Sequence, residues 1–202
     1  MWNIGPKQRK IIKILIILLV AVTIGCTIKN PFSKSQTWVS EKDISRFMDF
    51  LLDKKLTCSN ILDAPLAVND SKFLINADLE ISVDLNKPFL TREDITFVLN
   101  QQSKLKNFKW DNKLIQGYTI IPTETIEKIF ENGTKEGWNT FNRQFGDSFC
   151  EFSVPLFSKD KNVAIISHNY NCGPLCGEGW TVIYKKQGSK WEEVKSIFRW
   201  IS

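Results

Sequence analysis

Residues 162–186 read NVAIISHNYNCGPLCGEGWTVIYKK, and their pattern decides the fold. The runs NVAIISHNYN (162–171) and WTVIYKK (180–186) are rich in β-branched and aromatic residues, while CGPLCGEG between them is a turn signal. So short a connection makes the two runs neighbouring antiparallel strands. The proline and three glycines of the connection point to unusual backbone dihedrals. The period of two continues on either side, in FCEFSVPLF (149–157) and KWEEVKSIFRWI (190–201), with SKDK and QGS marking further turns. The expectation is a four-stranded antiparallel meander at the C-terminal end. Pro155 cannot donate to a ladder, so the 149–157 strand should lie at an edge or carry a bulge.

Upstream the period changes to 3.6. Ser40 with Asp43 has capping-box spacing, and Ile44, Phe47, Met48, Leu51 and Leu52 share one face, which predicts a helix over 41–54. Thr91 with Asp94 repeats the spacing ahead of Ile95, Val98, Leu99 and Leu105, for a second helix over 92–105. DLEISVDL (78–85) alternates like a strand, and a further strand falls around 114–121. TETIEKIFEN and KEGWNTFNRQFG read as short helices ended by Gly133 and Gly146. The fold class is therefore α+β: helices followed by a C-terminal four-stranded antiparallel meander, with the helices on one face of the sheet.

A chain of 202 residues with 43% apolar residues, 14 Phe and 7 Trp can bury one core. The formal charge of +5 is local. Lys7, Arg9, Lys10 and Lys13 lie at the N-terminal end, which leaves about +1 for residues 26–202. A body so close to neutral carries no electrostatic footprint for nucleic acid.

Residues 1–13 are basic, and ILIILLVAVTIG (14–25) is apolar and uncharged. That core is short against the ~20 residues of a bilayer span and falls within the ~7–15 of an export signal. Its end, Gly25-Cys26, resembles the lipobox of bacterial lipoproteins, in which a cysteine follows a small residue; Thr23 stands where that family usually has Leu. The resemblance implies cleavage before Cys26, acylation of its sulfur and a lipid anchor on a membrane of the cell envelope. With that cleavage point, the polar stretch after Cys26 and the periodic body divide the chain into 1–25 signal peptide, 26–38 polar tether and 39–202 single α+β domain. An uncleaved signal anchor and a simple secreted form stay open, and each of the three places the body outside the cytoplasm.

Outside the cytoplasm, cysteines pair. Besides Cys26 the chain has Cys58, Cys150, Cys172 and Cys176, an even number. Cys172 and Cys176 can meet across a tight turn. For Cys58 and Cys150, a long-range bridge and a pair of buried thiols stay equally open. A redox role for Cys172–Cys176 lacks the C-x2-C spacing and the helix N-terminus that activate a thiol.

His168 is the single histidine. In an extended strand four residues span about 13 Å, so His168 and Cys172 would share a metal only across a sharp bend. A strand-face side chain is the plainer reading, and no metal site is expected. No G-x-S-x-G elbow, P-loop, dinucleotide fingerprint or EF-hand loop is present, so neither a catalytic set nor a cofactor is expected. Glu124, Glu127 and Glu131 recur at helical spacing and read as a solvated face. Trp110, Trp138, Trp180, Trp191 and Trp200 could line a ligand groove, although packing is the commoner use.

In the last fifty residues FSVPLFS, CGPLCGEG and KKQGSKWEEV follow in succession, and this end is similar to a set of small uncharacterised bacterial exported proteins. They share a Cys-Gly-rich hairpin and a closing Lys-Trp strand, and they imply no activity. A fainter likeness is to the NTF2-like fold, in which helices precede a curved antiparallel sheet. The function expected is that of a membrane-tethered, non-catalytic module binding a protein or small-molecule ligand. The alternatives are a thiol-dependent or hydrolytic enzyme centred on the Cys172–Cys176 loop with His168, and a structural envelope protein.

Overall fold

The computed structural model describes residues 39–53, 58–66, 90–105 and 107–202. The expected signal, tether, Cys26 and 78–85 strand lie outside them. In chain order the elements are α1 (Glu41–Asp53), β1 (Asn60–Leu62), α2 (Arg92–Lys104), β2 (Thr119–Ile121), α3 (Thr123–Phe130), α4 (Thr134–Gln144), β3 (Phe149–Phe152), β4 (Leu156–Phe157), β5 (Val163–Gly173), β6 (Cys176–Gln187) and β7 (Lys190–Ile201). Among the described residues no helix is long and apolar enough to cross a membrane.

Both capping boxes form. The Asp43 N–H donates to Ser40 Oγ and the Ser40 N–H to Asp43 Oδ2, each at 3.2 Å. Thr91 and Asp94 exchange the same pair at 3.1 and 2.9 Å. The turn between β4 and β5 lies against both helix starts. Lys161 Nζ meets Asp43 Oδ2 at 2.6 Å, and the Lys159 N–H donates to Asp94 Oδ1 at 2.9 Å. One tight turn thus fixes where two helices begin. Gly133 and Gly146 bound α4 with φ of 101° and 104°, a region that favours glycine.

The architecture is α+β, and the sheet is larger than a four-stranded meander and mixed. Its strands lie in the order β2-β1-β3-β5-β6-β7, with β4 also paired to β5. β5, β6 and β7 form the antiparallel meander, whereas β1 runs parallel to both β2 and β3. The 149–157 run is two strands, β3 and β4, each antiparallel to β5. Pro155 sits in the break, where Ser153 and Ser167 bridge the gap: the Ser153 N–H donates to the Ser167 carbonyl (2.8 Å) and the Ser167 N–H to Ser153 Oγ (2.9 Å). β3 is interior, so an edge position for the whole run does not hold. Among the described strands β4 pairs on one side, with β5, and Gln101 bonds its other side like a strand. The Phe157 N–H donates to Gln101 Oε1 (3.0 Å), and Gln101 Nε2 donates to the Phe157 carbonyl (2.6 Å).

Helices occupy both faces of the sheet, which corrects the expectation of one. Successive strand residues point to opposite faces. Cys150 and Phe152 join the main core with Phe47, Met48 and Leu51 of α1, whereas Phe149 packs with Trp138 and Phe141 of α4. Among the described strands β7 is an edge. Two register shifts leave Val194 and Ile197 as bulges, and Lys190, Glu192, Glu193, Lys195 and Arg199 add charge. Bulges and charges both discourage a further strand from pairing there.

Candidate functional site

The β5–β6 hairpin ends in Pro174 and Leu175, neither of which takes a positive φ. Two-residue hairpin loops favour positive-φ turns, whose twist matches that of the strands. This loop lacks that match and is braced covalently. The register passes from Asn171↔Gly177 to Gly173↔Cys176, so Cys172 is a one-residue bulge. A disulfide joins Cys172 to Cys176 across a Cα separation of 5.0 Å. Leu175 stands at the tip, 86% exposed, and Ile201, in register with Glu178 at the same end of the sheet, is 67% exposed.

None of the loop's glycines takes an unusual dihedral, which corrects the sequence reading, and Gly177 and Gly179 serve close approach. Gly173, Gly177 and Gly179 have no positive φ. Gly177 and Gly179 lie on one face of β6, and the Trp200 indole lies across them. A Cβ on Gly179 would overlap Trp200 Nε1 and Asn169 Oδ1 and come within 2.6 Å of Trp200 Cε2; one on Gly177 would lie 3.1 Å from Trp200 Cη2. Trp200 Nε1 donates to Asn169 Oδ1 at 3.2 Å, and Asn169 and Asn171 donate through Nδ2 to Glu151 Oε2 at 3.4 and 3.0 Å. One rung further along, the Ser167 and Thr181 hydroxyls share a bond of 2.8 Å. The Ser202 N–H donates to the Gly177 carbonyl (2.9 Å) and pins the end of β7 to the hairpin.

On the opposite face His168 lies between Phe152 and Trp180, with ring centroids 5.9 and 4.6 Å away. It is 7% exposed, and its Nδ1 has no hydrogen-bond partner. Burial lowers its pKa to about 4, so the ring is neutral near pH 7. A serine-protease-type relay needs a carboxylate on one imidazole nitrogen, and Nδ1 receives none. β5 keeps its pairing without interruption from His168 to Asn171, so no bend carries His168 to the cysteines. Among the described residues no three His, Cys, Asp or Glu side chains converge as a metal site. Arg199 lies 5.6 Å over the Trp180 ring and 3.6 Å from Glu178.

The second disulfide joins Cys58, just ahead of β1, to Cys150 on β3, both buried. It ties down the parallel β1–β3 contact, which rests on the single register pair Ile61↔Cys150. Of the two alternatives the sequence left open, the long-range bridge is the one in the structure.

Sequence reasoning missed Asp63. From the end of β1 its Oδ1 accepts from both the N–H and the hydroxyl of Thr123, at 2.8 Å each, and so caps α3. Its Oδ2 accepts from Lys109 at 2.7 Å. Burial pushes the Asp63 carboxyl up, but the bonds from Lys109 and Thr123 outweigh it and hold the pKa below the usual value. Glu124 and Glu127 on α3 and Glu131 just beyond its end are exposed. Trp110 and Trp138 are core residues, and Trp180 and Trp191 pack against the main core. Of these five tryptophans, Trp200 is the one that joins the polar ladder near the hairpin end.

A cavity of about 170 Å³ lies between α1, α2 and the β3–β4 break, lined by Val39, Ile44, Leu105, Phe108 and Val154 with Glu41 at its rim. It is smaller than the ~300–1,000 Å³ of ordinary ligand sites. Neither a family model, nor a curated protein, nor a solved structure matches this chain.

Proposed function

We propose that the chain is a membrane-tethered extracytoplasmic module that binds a partner protein without catalysing a reaction, and that the contact surface is the braced end of the β5–β6 hairpin. One observation carries this reading: an 86% exposed leucine stands on a loop that is cross-linked, bulged and floored by Trp200. A rigid apolar tip loses little conformational freedom on docking, so more of its contact energy appears as affinity. The 170 Å³ cavity would enclose a molecule only about as large as benzene.

The tether rests on Cys26 as a lipid-attachment residue after an export signal, in the bacterial cell envelope. Two disulfides support an oxidising, non-cytoplasmic compartment for the folded domain. The likeness to the NTF2-like fold rests on the order of helices and strands alone and adds nothing about function.

The test places a photo-cross-linking residue at Leu175, and separately at Ser189 in the β6–β7 turn, in full-length protein in its own membrane. The binding reading predicts one discrete protein adduct from position 175 and none from 189. Equal adducts from both positions favour a structural envelope protein, and no adduct from either refutes the docking surface.

A further inference from the structure

We propose that Cys172–Cys176 is a thiol–disulfide exchange site for a dithiol reductant, opened while Cys58–Cys150 stays closed, so that the hairpin end exists in two covalent states. The consequence for a partner rests on the binding role proposed above; the chemistry does not.

The two bonds differ in access. Cys176 is exposed, next to exposed Pro174 and Leu175, and Cys172 is half-buried. Cys58 and Cys150 are 3% and 1% exposed and belong to the main core beside α1. Exchange begins with a thiolate reaching a disulfide sulfur, so access sets which bond reacts. Cys176 is the exposed partner of the pair, so it is the residue a thiolate approaches in the folded protein. The Cys58–Cys150 sulfurs can be reached only by opening the core, an event as rare as unfolding itself.

The reaction balances as a two-electron exchange. A thiolate of the dithiol attacks Cys176 Sγ, a mixed disulfide forms and Cys172 leaves as a thiolate, which takes up a proton. The second thiol of the reagent, as thiolate, then attacks its own sulfur in the mixed disulfide and releases Cys176, which is protonated in turn. The products are two cysteine thiols and the oxidised, cyclic form of the reagent. The reverse reaction runs with that oxidised form.

What the opening releases is local. Below the cross-link the hairpin keeps the Trp200 indole across Gly177 and Gly179 and the Ser202 N–H on the Gly177 carbonyl. Above it, the Cys172 bulge and the Pro174–Leu175 loop are held by the disulfide and the single pair Gly173↔Cys176. Reduction therefore frees the tip that carries Leu175 and leaves the rest of the sheet paired.

The experiment treats native protein with graded dithiothreitol at pH 8, blocks new thiols with iodoacetamide and maps the labelled peptides by mass spectrometry. Cys172 and Cys176 should label at least about 100-fold faster than Cys58 and Cys150, with tryptophan emission unchanged. Hydrogen exchange should quicken from Cys172 to Cys176 and nowhere else in the hairpin. Labelling of all four cysteines together, or of none before denaturant is added, overturns the assignment. The Cys172→Ser/Cys176→Ser variant should take up no label in the same window, and uptake at Cys58 or Cys150 there would count against it too. Labelling needs no partner, so an absent adduct at Leu175 defeats the binding role without touching the exchange site. If both hold, reduction should lower the yield of the Leu175 adduct several-fold.

Discussion

Removing the disulfides one at a time should separate two kinds of stabilisation. The Cys58–Cys150 bond closes a separation of 92 residues and the Cys172–Cys176 bond one of 4. On the chain-entropy account, cross-linking the unfolded chain is worth about 4.6 kcal/mol for the long loop and about 2 kcal/mol for the short one. The double variant Cys58→Ala/Cys150→Ala should therefore lose about 2.5 kcal/mol more than Cys172→Ala/Cys176→Ala. Both long-loop sulfurs are buried, so lost packing adds to that difference. The long-loop variant should also unfold with a steeper urea dependence, because its denatured chain exposes more surface. Equilibrium urea unfolding followed by tryptophan fluorescence reads both quantities. Equal losses, or a larger loss for the hairpin variant, would refute the reasoning, since no version of loop closure favours the short ring.

Four further outcomes follow from particular side chains. Gly179→Ala should destabilise by about 1–3 kcal/mol and shift tryptophan emission, because the new methyl displaces Trp200 from Asn169; a neutral result in urea unfolding would contradict the close approach. The unfolded His168 ring takes a proton near pH 6.5 and the folded one only near 4, so stability is complete above pH 6.5 and falls by up to about 3 kcal/mol as pH drops to 4. His168→Phe should flatten that slope in urea titrations run at several pH values. Asp43, Asp63 and Asp160 have lowered pKa values, so their contribution is present above the ordinary carboxylate pKa of 3.8 and is lost in a separate window as pH falls below it. Asp63→Ala should cost about 1–3 kcal/mol by leaving the Thr123 N–H unpaired, and Asp63→Asn clearly less, since an amide oxygen still caps α3 and the 60% exposed Lys109 contributes little. Thermal melts distinguish the two variants, and equal losses would make the ion pair rather than the cap the source of stability.

The parts of the fold legible in the sequence are those specified locally. Ser40 with Asp43 and Thr91 with Asp94 fix helix starts through bonds three residues long, and each meander strand pairs with its chain neighbour across a short turn that the sequence marks. β1 and β2 are three residues each and pair parallel across a gap of 59 residues, Asn60 with Thr119, which no local pattern encodes. Pro155 signalled a disruption of the ladder, which takes the form of a break: β3 before it is interior and β4 after it pairs with β5. At the candidate site, spacing indicated the Cys172–Cys176 bond. It did not indicate the purpose of Gly177 and Gly179. That depends on Trp200, which lies 21 residues beyond Gly179 in sequence and directly across from it in register. The two-residue step between those glycines, one strand face left bare, was the signal available.

The most direct measurement is a non-reducing peptide map with intact mass on protein taken from its native cells, with free thiols blocked at lysis. Two linked peptide pairs, Cys58 with Cys150 and Cys172 with Cys176, on a chain that begins at an acylated Cys26 are the predicted result. Four blocked thiols on a chain that begins at Met1 and carries no lipid would contradict the compartment, the anchor and the braced hairpin together.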